Sequence, residues 1–359
     1  VTRLFVHAVN VHQGGGAVLL ADLLRVIPKS LPTLVTVDVR MVLPRDLSTH
    51  IYVKRIKPTL LGRIYAELLL LRKTRFDDKV FCFGNLPPLL GAKGEVSVFI
   101  QNRYLVDPIS PLASFSMRSR LRITVEKFWL YFCRHRADRF IAQTPTMCRL
   151  IVEKLNTKVV CIPYAPKIIL EFTTFQSNQS SFRFDFIYVA SGEIHKNHSM
   201  LIRAWAVLAD EGFFPTLAVT LSPHLAPKLI SSIKDMCISR GVRIHNLGVL
   251  PHEKLMKIYG NCGALIYPSI FESFGLPLIE AQRAGMAVLA SELDYVRDVI
   301  NPHQTFDPHS PVSIARAVKR YMNNLRENNM QVPTGSVNTE PVVPLEASEF
   351  LERLLHTSA

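Results

Sequence analysis

The sequence predicts an α/β protein made of two doubly wound parallel-sheet domains, and three observations carry that expectation. Short apolar runs rich in β-branched residues alternate with amphipathic helical patterns along nearly the whole chain. The alternation breaks once, at "APKIILEFTTFQSNQSS" (165–181), and then restarts. A length of 359 residues suffices for two separate cores.

Taken in order, "RLFVHAVN" (3–10) reads as the first strand. A glycine-rich turn and an amphipathic helix follow it in "VHQGGGAVLLADLLRVI". Further strands are expected at "TLVTVDVRMVL" (33–43), "KVFCFG" (79–84), "VSVFIQN" (96–102), "RFIAQT" (139–144) and "VVCIPY" (159–164). Helical patterns between most of them require a parallel sheet wound on both faces. This gives a domain over 1–165, a linker over 166–181 and a second domain over 182–340. The second series comprises "FRFDFIYVA" (182–190), "TLAVTLS", "VRIHNLG", "ALIYPS" (264–269) and "AVLAS" (287–291). Residues 328–345, with prolines among polar neighbours, read as a loop before a tail helix in 341–359, "EASEFLERLL".

Composition narrows the function classes. No apolar run approaches the roughly 18 residues of a membrane span; "YAELLLLRK" is the nearest. The first residues lack a basic-apolar-cleavage pattern, so a cytoplasmic protein is expected. Six scattered cysteines without C-x-x-C spacing read as reduced structural thiols. The net charge is +13, and its distribution is uneven. Residues 1–165 hold 25 Lys and Arg against 11 Asp and Glu; the remainder hold 17 against 18. Such asymmetry points to an anionic partner of the first half. The excess concentrates in 118–139, "RSRLRITVEKFWLYFCRHRADR", where seven basic residues interleave with Phe128, Trp129, Tyr131 and Phe132. A basic helix with aromatics suits an anionic membrane surface, with Arg118, Arg120, Arg122 and Lys127 facing it. The alternative is a packed helix whose polar face is basic. No nucleic-acid-binding module accompanies the charge.

The chemistry centres on "FESFGLPLIEA" (271–281). Pro277 suits the first turn of a helix that ends at Gly285, after the strand "ALIYPS". The loop therefore leaves the carboxyl edge of a parallel sheet, where open α/β sheets bind ligands. Backbone N–H groups of Ser273, Phe274, Gly275 and Leu276 lie at a helix N-terminus, which favours a phosphate. Glu272 in the loop and Glu280 on the helix supply carboxylates, and a carboxylate accepts two hydrogen bonds from a vicinal diol. A second loop, in "YVASGEIHKNHSMLIRAW" (188–205), carries Gly192 and Lys196 before a helix that begins near Asn197 or His198. An ammonium there can neutralise a leaving diphosphate; alternatively Lys196 is a solvated lysine. His195 and His198 read as loop and cap residues. "QGGGAVLL" puts Gly14, Gly15 and Gly16 where N–H groups can approach a diphosphate. It is not G-x-G-x-x-G, although Asp38 could serve as a dinucleotide's acidic partner; a plain flexible turn is the other reading. No D-x-D motif occurs, so no metal is expected.

The string "YPSIFESFGLPLIEA" resembles the E-x7-E signature of retaining, GT-B-fold glycosyltransferases of family 4. The resemblance covers most of the chain and is specific mainly in the second half. It implies two sheets facing a cleft and sugar transfer from a nucleotide diphosphate donor acting as co-substrate, with no further cofactor. It assigns Glu272 to donor-sugar hydroxyls, Glu280 to the ribose diol and Lys196 to the diphosphate. It turns Gly14–Gly16 toward the donor phosphates, and places Leu250, in "VRIHNLGVLPHEKLMKIYGNC" (242–262), at the nucleobase. Ser191 stands where the family often has an arginine, which removes one phosphate contact. Gln101 and Asn102 stand where many relatives have a pocket histidine. Neither is a general base, so proton removal falls to the departing phosphate. "ASGEIHKNH" and "ASELDYVRDV" look most like enzymes of O-antigen, capsule or lipopolysaccharide assembly. The expected acceptor is thus a lipid-linked saccharide at the inner face of the cytoplasmic membrane. A nucleotide-sugar epimerase and a non-catalytic scaffold binding an anionic partner are the competing functions.

Overall fold

The computed structural model describes residues 2–110, 115–167, 184–327 and 341–356. The chain divides into two compact units, one of Val1–Lys167 with Val343–Ala359 and one of Ile168–Val342. The expected linker at 166–181 and the proline-bearing loop at 328–345 lie for the most part outside the described residues.

Unit 1 is a seven-stranded sheet. Its strands are β1 (Leu4–Ala8), β2 (Thr33–Asp38), β3 (Ile51–Ile56), β4 (Lys79–Cys82), β5 (Glu95–Phe99), β6 (Arg139–Ala142) and β7 (Val159–Cys161). All pair in parallel, in the order β3-β2-β1-β4-β5-β6-β7. β3 was not expected from the sequence. "IYVKRI" has only two fully buried residues, Ile51 and Ile56, because it forms the sheet edge. By contrast every residue of β1 is buried, as a strand covered on both faces requires. The helices are α1 (Gly14–Val26), α2 (Leu60–Lys73), α3 (Met117–Cys133) and α4 (Pro145–Leu155).

Unit 2 repeats the architecture with six strands. They are β8 (Phe184–Tyr188), β9 (Thr216–Val219), β10 (Arg243–Asn246), β11 (Cys262–Tyr267), β12 (Ala287–Ser291) and β13 (Gln304–Phe306). They pair in parallel in the order β10-β9-β8-β11-β12-β13. Its helices are α5 (His198–Asp210), α6 (Pro227–Arg240), α7 (His252–Tyr259), α8 (Leu276–Arg283), α9 (Asp294–Val299) and α10 (Pro311–Arg326). In each sheet the winding reverses beside the first strand. The switch point lies between β1 and β4 in unit 1 and between β8 and β11 in unit 2. The loops leaving the carboxyl ends of those four strands frame the crevices where such sheets bind ligands.

The tail helix α11 (Ala347–His356) packs into unit 1. Phe350 stacks on Tyr164 with centroids 4.6 Å apart and reaches Phe81 and Phe99. The guanidinium of buried Arg139 donates to the carbonyl of Leu354 at 2.6 Å and to Ser97 Oγ at 2.8 Å. Arg139, counted above in the basic stretch, is therefore an interior cap of α11 rather than part of a charged surface.

Candidate active site

Unit 2 brings Lys196 and Glu272 together from the two sides of its switch point. Lys196 ends a short 3-10 turn after β8, and Glu272 lies in the loop after β11. Their Nζ and Oε1 atoms are 2.6 Å apart, with side chains only 17% and 12% exposed. The same Oε1 accepts hydrogen bonds from Ser269 Oγ at 2.6 Å and Tyr267 OH at 3.0 Å. Burial pushes the Glu272 carboxyl up, but Lys196, His195 and the Ser269 hydroxyl outweigh it, and the net shift is downward. Glu272 is thus held as a carboxylate at neutral pH. Burial, reinforced by Lys196, pulls the neighbouring His195 imidazole down.

The supporting residues fix the two loops to each other. Asn197, in the left-handed region at φ 61, donates from Nδ2 to the carbonyls of Pro268 and Pro308. Tyr188 OH donates to the Lys196 carbonyl at 2.6 Å, and Tyr295 OH to that of Ser269 at 2.8 Å. His198 opens α5, donates from Nε2 to the Ser191 carbonyl at 2.9 Å and lies against the Tyr188 ring. Burial lowers its imidazole to about 4, so it is neutral at physiological pH.

Glu280, on α8, is buried. Its Oε1 is 3.0 Å from His252 Nε2, and its Oε2 accepts from Tyr259 OH at 3.4 Å. The carboxylate is therefore oriented from α7, and further lone pairs on both oxygens can meet a ligand hydroxyl. Gly275 caps α8 at φ 81, a left-handed conformation that glycine adopts without strain. Phe274 is buried, so only its backbone is presented to a ligand, while Ser273 and Leu276 are half-buried. Gly192 is required by packing, since a Cβ there would sit 2.6 Å from Ala226 Cβ. Leu250 is half-buried just before α7.

The other expected residues are in unit 1. Gly14, Gly15 and Gly16 form the first turn of α1, directly after β1, with no side-chain cap from Gln13. Gln101 and Asn102 leave the end of β5. A Cβ on Gly16 would meet Gln101 Oε1 at 3.4 Å, so the glycine turn and the glutamine are neighbours. Asp38 is chelated by Arg40 at 2.9 and 2.6 Å, which occupies the carboxylate a dinucleotide ribose would need. Among the described residues no His, Cys, Asp or Glu cluster has a geometry that could hold a metal ion.

The basic stretch is α-helical as far as Cys133 and continues in a 3-10 turn over Arg134–Arg136. α3 buries Ile123, Leu130 and Cys133. Met117, Leu121, Val125, Phe128 and Phe132 are exposed, and their spacing puts them in one stripe. Arg118, Arg120 and Arg122 are exposed beside it, whereas Lys127 is half-buried and donates to Ser110 Oγ at 3.1 Å. Arg63 of α2 lies over the Trp129 ring at 4.7 Å, joining the two helices. Exposed Leu60, Leu61, Ile64 and Tyr65 are on α2.

Residues 171–334 match the family model described as glycosyl transferases group 1. Residues 171–334 are thereby identified as a glycosyl transferase group 1 domain. Over 132 residues the chain is 30% identical to the serotype-specific mannosyltransferase WbdA of Escherichia coli, covering 36% of this chain and 16% of that protein. Over 162 residues it is 26% identical to the O-antigen chain mannosyltransferase B of the same organism, covering 42% of this chain and 39% of the relative. The chain thus spans well under half the length of either relative.

Two solved structures show that the likeness in fold extends beyond the group 1 domain. The sucrose-phosphate synthase of Thermosynechococcus elongatus superposes with a TM-score of 0.69 at 16% identity, covering 99% of this chain and 95% of that one. Anabaena HepE, in complex with UDP and glucose, gives 0.67 at 14% identity and covers 92% of both chains. With its two parallel sheets, the protein has the GT-B fold.

Sequence reasoning missed the residues that hold these side chains in place. Tyr267 and Ser269 lie within the quoted "YPSIFESF", yet a strand-ending Tyr-Pro-Ser gives no hint of hydrogen bonds to the glutamate. His252 lies within "GVLPHEKL", and only the packing of α7 against α8 reveals its partner.

Proposed function

We propose that the protein transfers a mannosyl residue from a nucleoside diphosphate donor to a saccharide of the O-antigen type, with retention at the anomeric carbon. The observation that carries this reading is the largely shielded Lys196–Glu272 pair at the switch point of the group 1 domain. The names of the two E. coli relatives support mannose, and the UDP in the HepE complex supports a nucleoside diphosphate. As the bond from sugar to diphosphate breaks, negative charge grows on the leaving oxygen. The Lys196 ammonium, already oriented by Glu272, is preorganised to meet it. Glu272 accepts hydrogen bonds from the donor sugar, and Glu280, aimed by His252 and Tyr259, accepts them from the ribose diol. Gln101 and Asn102 are neutral amides that hydrogen-bond the acceptor without taking its proton. The proton then passes to the departing phosphate, on the face the leaving group vacates, and no metal is required.

The test is incubation of the purified chain with a panel of nucleoside diphosphate sugars and an O-antigen-type acceptor on a lipid carrier. Labelled mannose entering the lipid extract, with release of nucleoside diphosphate, is the expected result. Conversion of the donor into an isomeric nucleotide sugar would mean an epimerase; donor binding without turnover would mean a scaffold.

The α3 surface supports a second property, docking on an anionic lipid surface at the inner face of the cytoplasmic membrane. No helix among the described residues is long and apolar enough to cross a bilayer. A stripe of exposed Phe128, Phe132 and Leu121 flanked by exposed arginines suits the headgroup boundary instead. Changing Arg118, Arg120 and Arg122 together to Ser should weaken vesicle binding by at most about 1 kcal/mol per charge. The melting temperature should stay unchanged, because these side chains are solvated. Wild-type protein that fails to cosediment with anionic vesicles at low salt would end this reading.

A further inference from the structure

The crevice of unit 1 holds two asparagines, Asn10 and Asn85, that the chemistry above does not use. Three loops leave the carboxyl ends of β1, β4 and β5, and side chains of asparagine and glutamine tie them together. Asn10, after β1, donates from Nδ2 to the Gly84 carbonyl at 2.8 Å. Gly84 has no room for a side chain, since a Cβ would lie 1.9 Å from Asn10 Oδ1. Asn85 follows in the left-handed region at φ 69, one of three described residues other than glycine with positive φ. Its Oδ1 accepts from the backbone N–H of Gln101 at 2.5 Å and from that of Asn102 at 2.9 Å.

Those two N–H groups need a partner. The N–H of Ile100 still donates to Ile141 of β6, but beyond it the chain leaves the sheet ladder. One side-chain oxygen of Asn85 caps both of the next donors and sets the direction in which Gln101 and Asn102 depart. The Gln101 side chain is held as well. Its Nε2 donates to the Phe83 carbonyl at 3.2 Å, and its Oε1 lies beside Gly16. The amide is thereby turned with its acceptor oxygen toward the glycine turn.

We propose that Asn85 is a positioning residue of the acceptor side: it holds the end of β5 so that the Gln101 and Asn102 amides meet a saccharide hydroxyl. This rests on the proposed function, in which those two residues contact the acceptor. Asn85 itself touches no substrate. Its side-chain oxygen and its left-handed backbone are separable requirements, and this makes the role testable. Gly tolerates the left-handed conformation but lacks the oxygen, whereas Asp keeps an acceptor and still visits that region.

The experiment compares Asn85→Gly, Asn85→Asp and Gln101→Ala with the wild type in steady-state transfer and in backbone amide hydrogen exchange, with melting curves alongside. In Asn85→Gly the amides of residues 101 and 102 should exchange faster. The kcat/KM for the acceptor should fall roughly tenfold, the effect of one misplaced polar contact. Affinity for the nucleoside diphosphate should stay as in the wild type. Asn85→Asp should recover most of the loss. Adding Asn85→Gly to Gln101→Ala should cost less than the sum of the two single losses, because they share the Gln101 contact. If Asn85→Gly equals the wild type while Asn85→Asp is impaired, only backbone conformation matters and the role is overturned. Faster exchange with unchanged acceptor kinetics overturns it too. A wild-type chain that transfers no sugar removes the proposed function and the role with it, yet the exchange data still report the cap.

Discussion

The two switch points of this molecule are built from opposite materials. In unit 2 the loops after β8 and β11 present an ammonium and a carboxylate, largely shielded from solvent and paired at 2.6 Å. In unit 1 the loops after β1, β4 and β5 present glycines and neutral amides, ordered by Asn85 and Asn10. The same doubly wound architecture thus presents a charged pair in unit 2 and, at the end of β5 in unit 1, the neutral amides of Gln101 and Asn102. Charge held in a desolvated, preorganised pair acts where charge develops in a reaction. Neutral amides orient hydroxyls and add no driving force for proton transfer. In the proposed function, the contrast corresponds to leaving-group chemistry in unit 2 and acceptor recognition in unit 1.

Breaking the charged half should cost most. Lys196→Ala is expected to lower kcat by roughly 10²–10³ while the KM for donor changes far less, since the ammonium matters most in the transition state. Steady-state kinetics check this; an unchanged kcat with a raised KM would make Lys196 a binding residue only.

The same half should be sensitive to acid through His198. The unfolded chain binds a proton near pH 6.5, but the buried imidazole does so only near about 4. Its contribution to stability is therefore complete above pH 6.5 and drains away as the pH falls toward 4. The interval corresponds to roughly 3 kcal/mol. Denaturant titrations across that range should show His198→Gln losing less stability than the wild type.

Glu280→Ala should weaken nucleoside diphosphate binding by about 1.5–3 kcal/mol, the usual worth of a hydrogen bond to a charged group. Calorimetry reads it directly, and an unchanged affinity would remove Glu280 from the ribose. Gln101→Ala, in the neutral half, should cost only about 0.5–1.5 kcal/mol in acceptor kcat/KM. A loss as large as that of Lys196→Ala would erase the division between the two halves.

Much of this division was legible in the residues. The alternation of strands and helices located eleven of the thirteen strands to within a few residues or as part of a longer run, missing β3 and the three-residue β13, and the glutamates and Lys196 stood out by their loop settings. What the sequence withheld depends on pairing across the sheet. Edge strand β3 has too little burial to show a pattern. Arg139 looked like surface charge because only the return of α11 shows that it caps Leu354. Tyr267, His252 and Asn85 carry no motif, and their value lies in partners 5, 28 and 16 residues away.

The central claim is that unit 2 supplies the charge and that the Gln101 and Asn102 amides of unit 1 supply no base. It is tested most directly by the anomeric configuration of the product, read by NMR from the one-bond carbon–hydrogen coupling of the transferred sugar. Without a base on the acceptor side, the acceptor must enter on the face the diphosphate leaves, so the configuration of the donor should be kept. A product of inverted configuration would require a general base opposite the leaving group, and it would contradict this account of both halves.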